Sequence, residues 1–92
     1  MTIRQAQVFI SGFVQGVGFR QFIKKSALKI GVKGWVRNLE DGRVEVVLQG
    51  RMEDIEKIIQ LCRQGPFLAE VKFVDVIWEE NKKKFDAFAI TF

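Results

Sequence analysis

The 92-residue chain contains no histidine and no tyrosine, and it has one cysteine and one proline. The absence of histidine excludes Ser-His-Asp and Cys-His nucleophile pairs, histidine general bases and histidine-ligated zinc sites. The single cysteine, Cys62, cannot form an internal disulfide, which excludes a disulfide-stapled secreted scaffold. The remaining class is a metal-independent domain, for which no cofactor is expected.

Long apolar segments are also missing. No apolar run approaches the roughly 20 residues that a helix needs to cross a bilayer. Residues 1–13 lack the apolar core and the small-residue cleavage site of a signal peptide. We therefore expect a cytoplasmic protein with no membrane partner. The hydrophobic content of 48% suits a packed core rather than disorder, and the length suits one domain over residues 1–92.

Acidic residues are scarce in the first half of the chain. Residues 1–50 contain eight Lys and Arg against three Asp and Glu, whereas residues 51–92 contain seven against eight. A basic half indicates an anionic partner, and both nucleic acid and a small phosphate or carboxylate are candidates. Solubility alone is the simpler explanation of scattered lysines.

Periodicity and turn residues divide the chain into seven elements. Alternating apolar residues predict strands over 6–14, 32–38, 43–49, 70–78 and 87–92, and helical spacing predicts helices over 19–30 and 52–63. Cys62 falls on the apolar stripe of the second helix and is predicted to be a core residue. In the fourth strand, Val71 and Phe73 are predicted to share one face, opposite Val74, Val76 and Trp78.

The order of these elements is β-α-β-β-α-β plus a short final strand. It predicts an α+β, ferredoxin-like sandwich, in which an antiparallel sheet carries both helices on one face. The first and second strands then run in the same direction, and their carboxyl ends lie roughly 10 Å apart with the third strand between them. The loop after the first strand, the start of the first helix and Asn38 therefore converge on one sheet edge.

The loop between the first strand and the first helix is the main candidate binding site. It comprises Gln15, Gly16, Val17, Gly18 and Phe19. Its glycines and the following helix start can form a nest for a phosphate-sized anion. Arg20 is electrostatically misplaced at a helix start, unless an anion lies between its guanidinium and the backbone amides. The alternative is a common glycine-rich turn beside a solvated arginine, and neither nucleotide-binding glycine fingerprint is present.

Asn38 ends the second predicted strand and has two interpretations. Asparagine is a favoured turn residue, and the turn-forming residues Leu39-Glu40-Asp41-Gly42 follow it. The predicted topology alternatively points its carboxamide to the edge that holds Arg20, where it could orient a water molecule. The residues alone leave both interpretations open.

Two segments carry a resemblance to a known family: ISGFVQGVGFR over residues 10–20 and GWVRNLEDGRVEVVLQG over residues 34–50. Both resemble the motifs of the acylphosphatase family. The resemblance implies a hydrolase that splits acyl phosphates into carboxylate and inorganic phosphate. It also implies that Arg20 and the loop Gln15–Phe19 bind phosphate and that Asn38 orients the attacking water. Thr91-Phe92 departs from the Arg-aromatic ending frequent in the family, and we interpret this departure as peripheral.

The chemistry of that reaction suits a chain without histidine or a metal site. An acyl phosphate has a carboxylate leaving group that needs no general acid, so positioning and charge stabilisation are the main requirements. The resemblance implies a small-molecule acyl phosphate as the substrate. We expect a monomer with no nucleic-acid partner, since nothing in the sequence demands an oligomer. The rivals are a single-stranded RNA-binding domain and a non-catalytic anion-binding domain. The RNA-motif likeness lies on the first strand rather than the third, where RNA-recognition domains carry their aromatics.

Overall fold

Two β-α-β halves build the molecule. The computed structural model describes residues 2–92. Its elements are β1 (Arg4–Phe13), α1 (Phe19–Ile30), β2 (Lys33–Asn38), β3 (Val44–Gly50), α2 (Met52–Gln64), β4 (Glu70–Glu79) and β5 (Phe88–Ile90). The predicted element order and the ferredoxin-like class are confirmed. Within residues 2–92, neither helix is long and apolar enough to span a membrane.

The strands form one sheet in the order β4-β1-β3-β2-β5. β1 pairs antiparallel with β3 and β4, and β2 pairs antiparallel with β3, so the carboxyl ends of β1 and β2 share one edge. The prediction of a purely antiparallel sheet is wrong at β5, which pairs parallel with β2. β5 runs opposite to β4 and joins the far edge, where only the segment Gly34–Val36 pairs with it. It is therefore shorter than predicted.

Both helices pack on one face of the sheet and share its core. Fully buried aliphatic side chains from three strands and both helices meet there, including Val8, Ile10, Val46, Ile23 and Ile55. Burying a side chain of this size stabilises the fold by about 1.5–3 kcal/mol. The predicted stripe of α2 is confirmed, since Ile55, Ile58, Ile59 and Cys62 are all buried.

A β-bulge changes the predicted faces of β4. Ser11 pairs with Phe73 but Gly12 pairs with Val71, so the register shifts between them. Val71 therefore packs against the core, while Phe73 is 67% exposed on the other face. The prediction that these two residues share a face is wrong. Gly12 has a φ of 128°, and a Cβ there would lie 2.2 Å from the carbonyl oxygen of Glu70, so the bulge requires glycine.

The sheet face opposite the helices carries a polar network. Glu45, on the central strand β3, is only 4% exposed. It accepts hydrogen bonds from Gln7 Nε2 at 2.6 Å and from Arg37 Nε at 2.8 Å. Long side chains from β1 and β2 thus cover the middle of this face. The alternating pattern of β3 did not indicate that its polar face would be buried as well.

Candidate active site

A small cavity lies where the carboxyl ends of β1 and β2 meet the start of α1. Its volume is about 140 Å³, and its lining residues are Val14, Gly16, Gly18, Phe19, Arg20, Gln21, Asn38, Ile90 and Phe92. The structure thus brings Arg20 and Asn38 to one cavity, together with three of the five predicted loop residues. A larger cavity of about 1030 Å³ lies between α2 and β4 but contains none of the predicted site residues.

The loop enters α1 through two glycines in the left-handed region. Gly16 has a φ of 75°, and Gly18, the N-cap of α1, has a φ of 79°. Within residues 2–92 no side chain caps this helix start, and its first turn contains no acidic residue. The first N–H groups of α1 therefore lack a side-chain acceptor at the positive end of the helix dipole. Such a helix start is suited to bind an anion.

Arg20 is the second residue of α1 and is partly buried. Arg37, Arg43 and Arg51 each form a salt bridge, but no carboxylate of residues 2–92 pairs with Arg20. An unpaired guanidinium beside an uncapped helix start concentrates positive charge at the cavity. The arrangement matches the planar, charge-assisted recognition of a phosphate group.

The Asn38 carboxamide is not used by the turn that follows it. In that turn Asp41 caps the backbone, because Arg43 N–H donates to Asp41 Oδ1 at 3.0 Å. This backbone hydrogen bond, with the neighbouring guanidinium of Arg43, lowers the pKa of Asp41. Asn38 Oδ1 is instead buried and has no donor among residues 2–92. The interpretation of Asn38 as a turn residue therefore does not explain the placement of its carboxamide.

Gln15 and Val17 lie outside the cavity lining. Gln15 Nε2 donates to the carbonyl oxygens of Leu39 at 2.7 Å and of Arg43 at 2.9 Å. It thereby ties the loop to the turn that follows Asn38. Val17 packs against the hydrophobic core. No local pattern in the sequence indicated this tie, because the partners of Gln15 lie 24 and 28 residues further along the chain.

Phe92 was not among the predicted site residues. The N–H of Thr91 donates to Val36 O at 2.8 Å, which holds the end of β5 beside the end of β2. The Phe92 ring then reaches the cavity, where its centroid lies 5.3 Å from Arg20 Cζ. The interpretation of Thr91-Phe92 as peripheral is therefore wrong. The parallel β2–β5 pairing, which the sequence pattern did not indicate, is the reason.

Comparison with known proteins identifies close relatives of this chain. A family model described as Acylphosphatase matches residues 6–90. An acylphosphatase of Roseiflexus sp. (strain RS-1) is 48% identical over 90 residues, which cover 98% of this chain and 97% of that relative. One from Chloroflexus aurantiacus is 49% identical over 90 residues, covering 98% of each chain. The crystal structure of acylphosphatase from Bacillus subtilis matches with a TM-score of 0.93 at 30% identity, covering 99% of this chain and 100% of that one.

Proposed function

Because the chain belongs to the acylphosphatase family, an enzyme family whose substrates are small-molecule acyl phosphates, we propose that Arg20, Asn38 and the Gln15–Phe19 loop catalyse the hydrolysis of an acyl phosphate to a carboxylate and inorganic phosphate. The observation that carries the proposal is the meeting of Arg20 and Asn38 in one cavity at the start of α1. A full-length match to an enzyme family does not favour the alternative of a non-catalytic RNA-binding or anion-binding module.

Phosphate binding is the first step. The phosphate group lies between the Arg20 guanidinium and the backbone N–H groups of the loop and the first turn of α1. These donors neutralise the non-bridging oxygens, on which negative charge is spread in a loose phosphoryl-transfer transition state. The donors are fixed by the fold before the substrate arrives, so little reorganisation is needed when the charge develops. Gln15 contributes indirectly by holding the loop against the β2–β3 turn.

Attack by water is the second step. The Asn38 carboxamide holds a water molecule in line with the bond between phosphorus and the bridging oxygen. The water oxygen forms a new bond to phosphorus, and the bond to the bridging oxygen breaks. The carboxylate leaves with that electron pair, and a non-bridging phosphate oxygen takes the proton of the water. The products are a carboxylate and inorganic phosphate, so atoms and charge balance without a protein base.

The nature of the leaving group explains why the reaction needs so few catalytic side chains. A carboxylate leaves without being protonated, so no general acid has to be positioned opposite the water. Phosphate monoesters have alkoxide leaving groups, which need that help, and we expect them to be poor substrates. Among residues 2–92, Arg20 is the only charged side chain that lines the cavity, which supports a reaction that relies on binding and orientation.

The remaining proposals concern the whole chain. Residues 1–92 act as a single domain and as a cytoplasmic monomer, and they do not bind nucleic acid. Cys62 is buried, and burial raises the pKa of its thiol to about 12, so the thiol stays protonated and does not cross-link chains.

The experiment measures benzoyl phosphate hydrolysis in the presence of EDTA for the wild type, Arg20→Gln and Arg4→Gln. Arg4 is an exposed arginine at the start of β1, so Arg4→Gln changes the net charge equally and serves as the control. We expect Arg20→Gln to lower kcat/KM by about 10³-fold, in the range of other phosphate-stabilising arginines. It should also abolish competitive inhibition by inorganic phosphate, while Arg4→Gln stays within about twofold of wild type.

Circular dichroism establishes that both variants are folded. A folded Arg20→Gln enzyme with wild-type activity would remove Arg20 from the site. Complete dependence of the wild type on an added metal ion would contradict this metal-independent mechanism.

A further inference from the structure

A cavity lined by lysines lies at the sheet edge opposite the one that contains Arg20. It forms where β1 and β2 begin, where β3 ends and where the loop of residues 80–87 joins β4 to β5. Four lysines line it, namely Lys33 at the start of β2 and Lys82, Lys83 and Lys84 in the loop. Its volume of about 560 Å³ falls in the size range of small-molecule sites. We call it the lysine cavity.

The charges of the lysine cavity have no internal counterion. Within residues 2–92 none of its four lysines forms a salt bridge, and no acidic side chain lines it. Glu80 and Asp86 flank the loop lysines in the chain but are not part of the lining. α1 ends at Gly31 beside the cavity, and its C-terminus contributes about half a negative charge against four positive ones. The cavity is therefore positive and suits an anionic group.

The fold holds the lysine loop against the sheet. Gln49, on β3, is only 5% exposed, and its Nε2 donates to the carbonyl oxygen of Lys83 at 2.7 Å. The N–H of Phe85 donates to Gln49 Oε1 at 2.9 Å, and Asn81 Nδ2 donates to the carbonyl oxygen of Ile3. Three consecutive like charges repel one another, yet their backbone is fixed at three points. Because this backbone is ordered before a ligand arrives, the entropy cost of binding is reduced.

Apolar surface accompanies the charges. Ile3 is 46% exposed and Phe85 is partly buried, and both line the lysine cavity. The methylene stems of the lysines add further apolar surface. An inorganic anion would leave this surface in water, whereas a ligand with an apolar body would bury it.

We infer that the lysine cavity is a second binding site, which takes a free small molecule that combines an anionic head with an apolar body. The lysines bind the head, and Ile3 and Phe85 contact the body. The concave shape favours a single molecule over the flat surface of a membrane. Among residues 2–92 this cavity shares no lining residue with the one that contains Arg20, so the inference does not depend on the proposed function.

The experiment titrates the full chain with octyl sulfate below its micelle concentration and follows backbone amide NMR signals. We expect the signals of Lys33, Gly50 and Phe85, which line the lysine cavity, to shift in one saturable step. Inorganic sulfate lacks the apolar body and octan-1-ol lacks the charge, so each should bind there with a Kd at least about tenfold higher. Arg20→Gln should show the same shifts and the same Kd, because the other cavity is not involved.

Paired substitutions test the lysines. Lys82→Gln combined with Lys84→Gln should raise the Kd of octyl sulfate by about five- to tenfold, since two of the four charges are lost. The control combines Lys25→Gln with Lys72→Gln, which removes the same charge from two exposed lysines outside the lining. It should stay within about twofold of wild type. Circular dichroism establishes that both variants are folded.

The apolar side has its own variant. Ile3→Ser keeps every charge and should raise the Kd of octyl sulfate by about threefold while leaving that of inorganic sulfate unchanged.

Four outcomes would overturn the inference. The first is the absence of a saturable shift at the lysine cavity, and the second is an equal effect of the two paired lysine variants. The third is equal affinity for octyl sulfate and for either inorganic sulfate or octan-1-ol. The fourth is binding to phosphatidylglycerol vesicles without binding of free octyl sulfate, which would make the lysines a membrane contact. No readout requires hydrolysis, so a failure here is distinguishable from a failure of the proposed function.

Discussion

Two polar side chains of the β2–β3 hairpin differ sharply in how the fold satisfies them. Glu45 pairs in register with Arg37 across the hairpin, and the next pair along is Asn38 with Val44. The Glu45 carboxylate is buried on the sheet face opposite the helices and receives hydrogen bonds from Gln7 and Arg37. The Asn38 Oδ1 atom is also buried, but it has no donor among residues 2–92.

Under the proposed function, this difference distinguishes a structural polar group, Glu45, from a catalytic one, Asn38. A buried polar atom without a hydrogen bond costs about 1–3 kcal/mol, so folds rarely retain one without a reason. Glu45 avoids this cost because Gln7 and Arg37 donate hydrogen bonds to its carboxylate. Asn38 retains it at the wall of the cavity that contains Arg20, where the carboxamide can contact a substrate or a water molecule. Under the proposed function the unsatisfied atom belongs to the site, and the satisfied one belongs to the framework that holds the hairpin.

The largest effect that tests this comparison is the loss of activity in Asn38→Ala. We expect kcat to fall by about 10²-fold, the usual cost of removing one well-placed polar group from a reaction centre. The inhibition constant of inorganic phosphate should stay within about twofold, because Arg20 and the loop are unchanged. The free energy of unfolding should be equal to that of wild type or up to about 1 kcal/mol higher, since an unsatisfied buried oxygen is removed.

Steady-state kinetics and urea denaturation provide these measurements. Leu39→Ala, at the next position of the same turn, serves as a control for general disturbance of the hairpin. A large drop in the stability of Asn38→Ala with unchanged kcat in the folded protein would restore its interpretation as a turn residue.

The opposite result is expected when the satisfied group is removed. Glu45→Ala should lower the free energy of unfolding by about 2 kcal/mol, because Gln7 and Arg37 lose their shared acceptor. The loss is limited, since the Arg37 side chain is 43% exposed and water can solvate it. The kcat/KM of the folded enzyme should remain within about twofold of wild type.

The control is Glu53→Ala, which removes a carboxylate that pairs with Arg51 on the surface and is 62% exposed. That change should cost well under about 1 kcal/mol. Equal losses of stability in the two variants would show that burial does not distinguish Glu45. A large loss of activity in folded Glu45→Ala would contradict the proposal that Glu45 has only a structural role.

The sequence was sufficient to predict what depends on periodicity and strand direction. Alternation and helical spacing located all seven elements, because a period of two or of 3.6 residues follows directly from backbone geometry. The topology then placed Arg20 and Asn38 at one edge without any knowledge of side chains. The bulge at Gly12 was not predictable, because it depends on the close approach of Glu70 from a strand almost sixty residues later.

The rest of the candidate site depends on contacts between distant segments. Gln15 was expected to bind phosphate through the loop, and its side chain instead reaches two carbonyl groups of the β2–β3 turn. Phe92 joins the cavity only because β5 pairs parallel with β2. Neither contact leaves a local pattern in the residues, and sequence reasoning alone had no means of finding them.

Cys62 is a third kind of buried polar group, and its substitution has the smallest predicted effect on the free energy of unfolding. Its thiol is fully buried, but a thiol forms only weak hydrogen bonds, so burying it without a hydrogen-bond partner costs little free energy. Burial raises the pKa of the thiol from 9.0 to about 12, so only the unfolded chain ionises as the pH rises above 9. The unfolded state then binds fewer protons than the folded state, and stability falls progressively between these two values.

The informative quantity is the difference in unfolding free energy between wild type and Cys62→Ala, because every other titratable group is common to the two proteins. Urea denaturation should show this difference decreasing by on the order of 1 kcal/mol between about pH 8 and pH 10, with activity unchanged at neutral pH. A difference that does not vary with pH would mean that the thiolate is tolerated inside the core. The fold would then accept an unsatisfied charge there, and an unsatisfied oxygen at Asn38 would no longer distinguish the site from the rest of the interior.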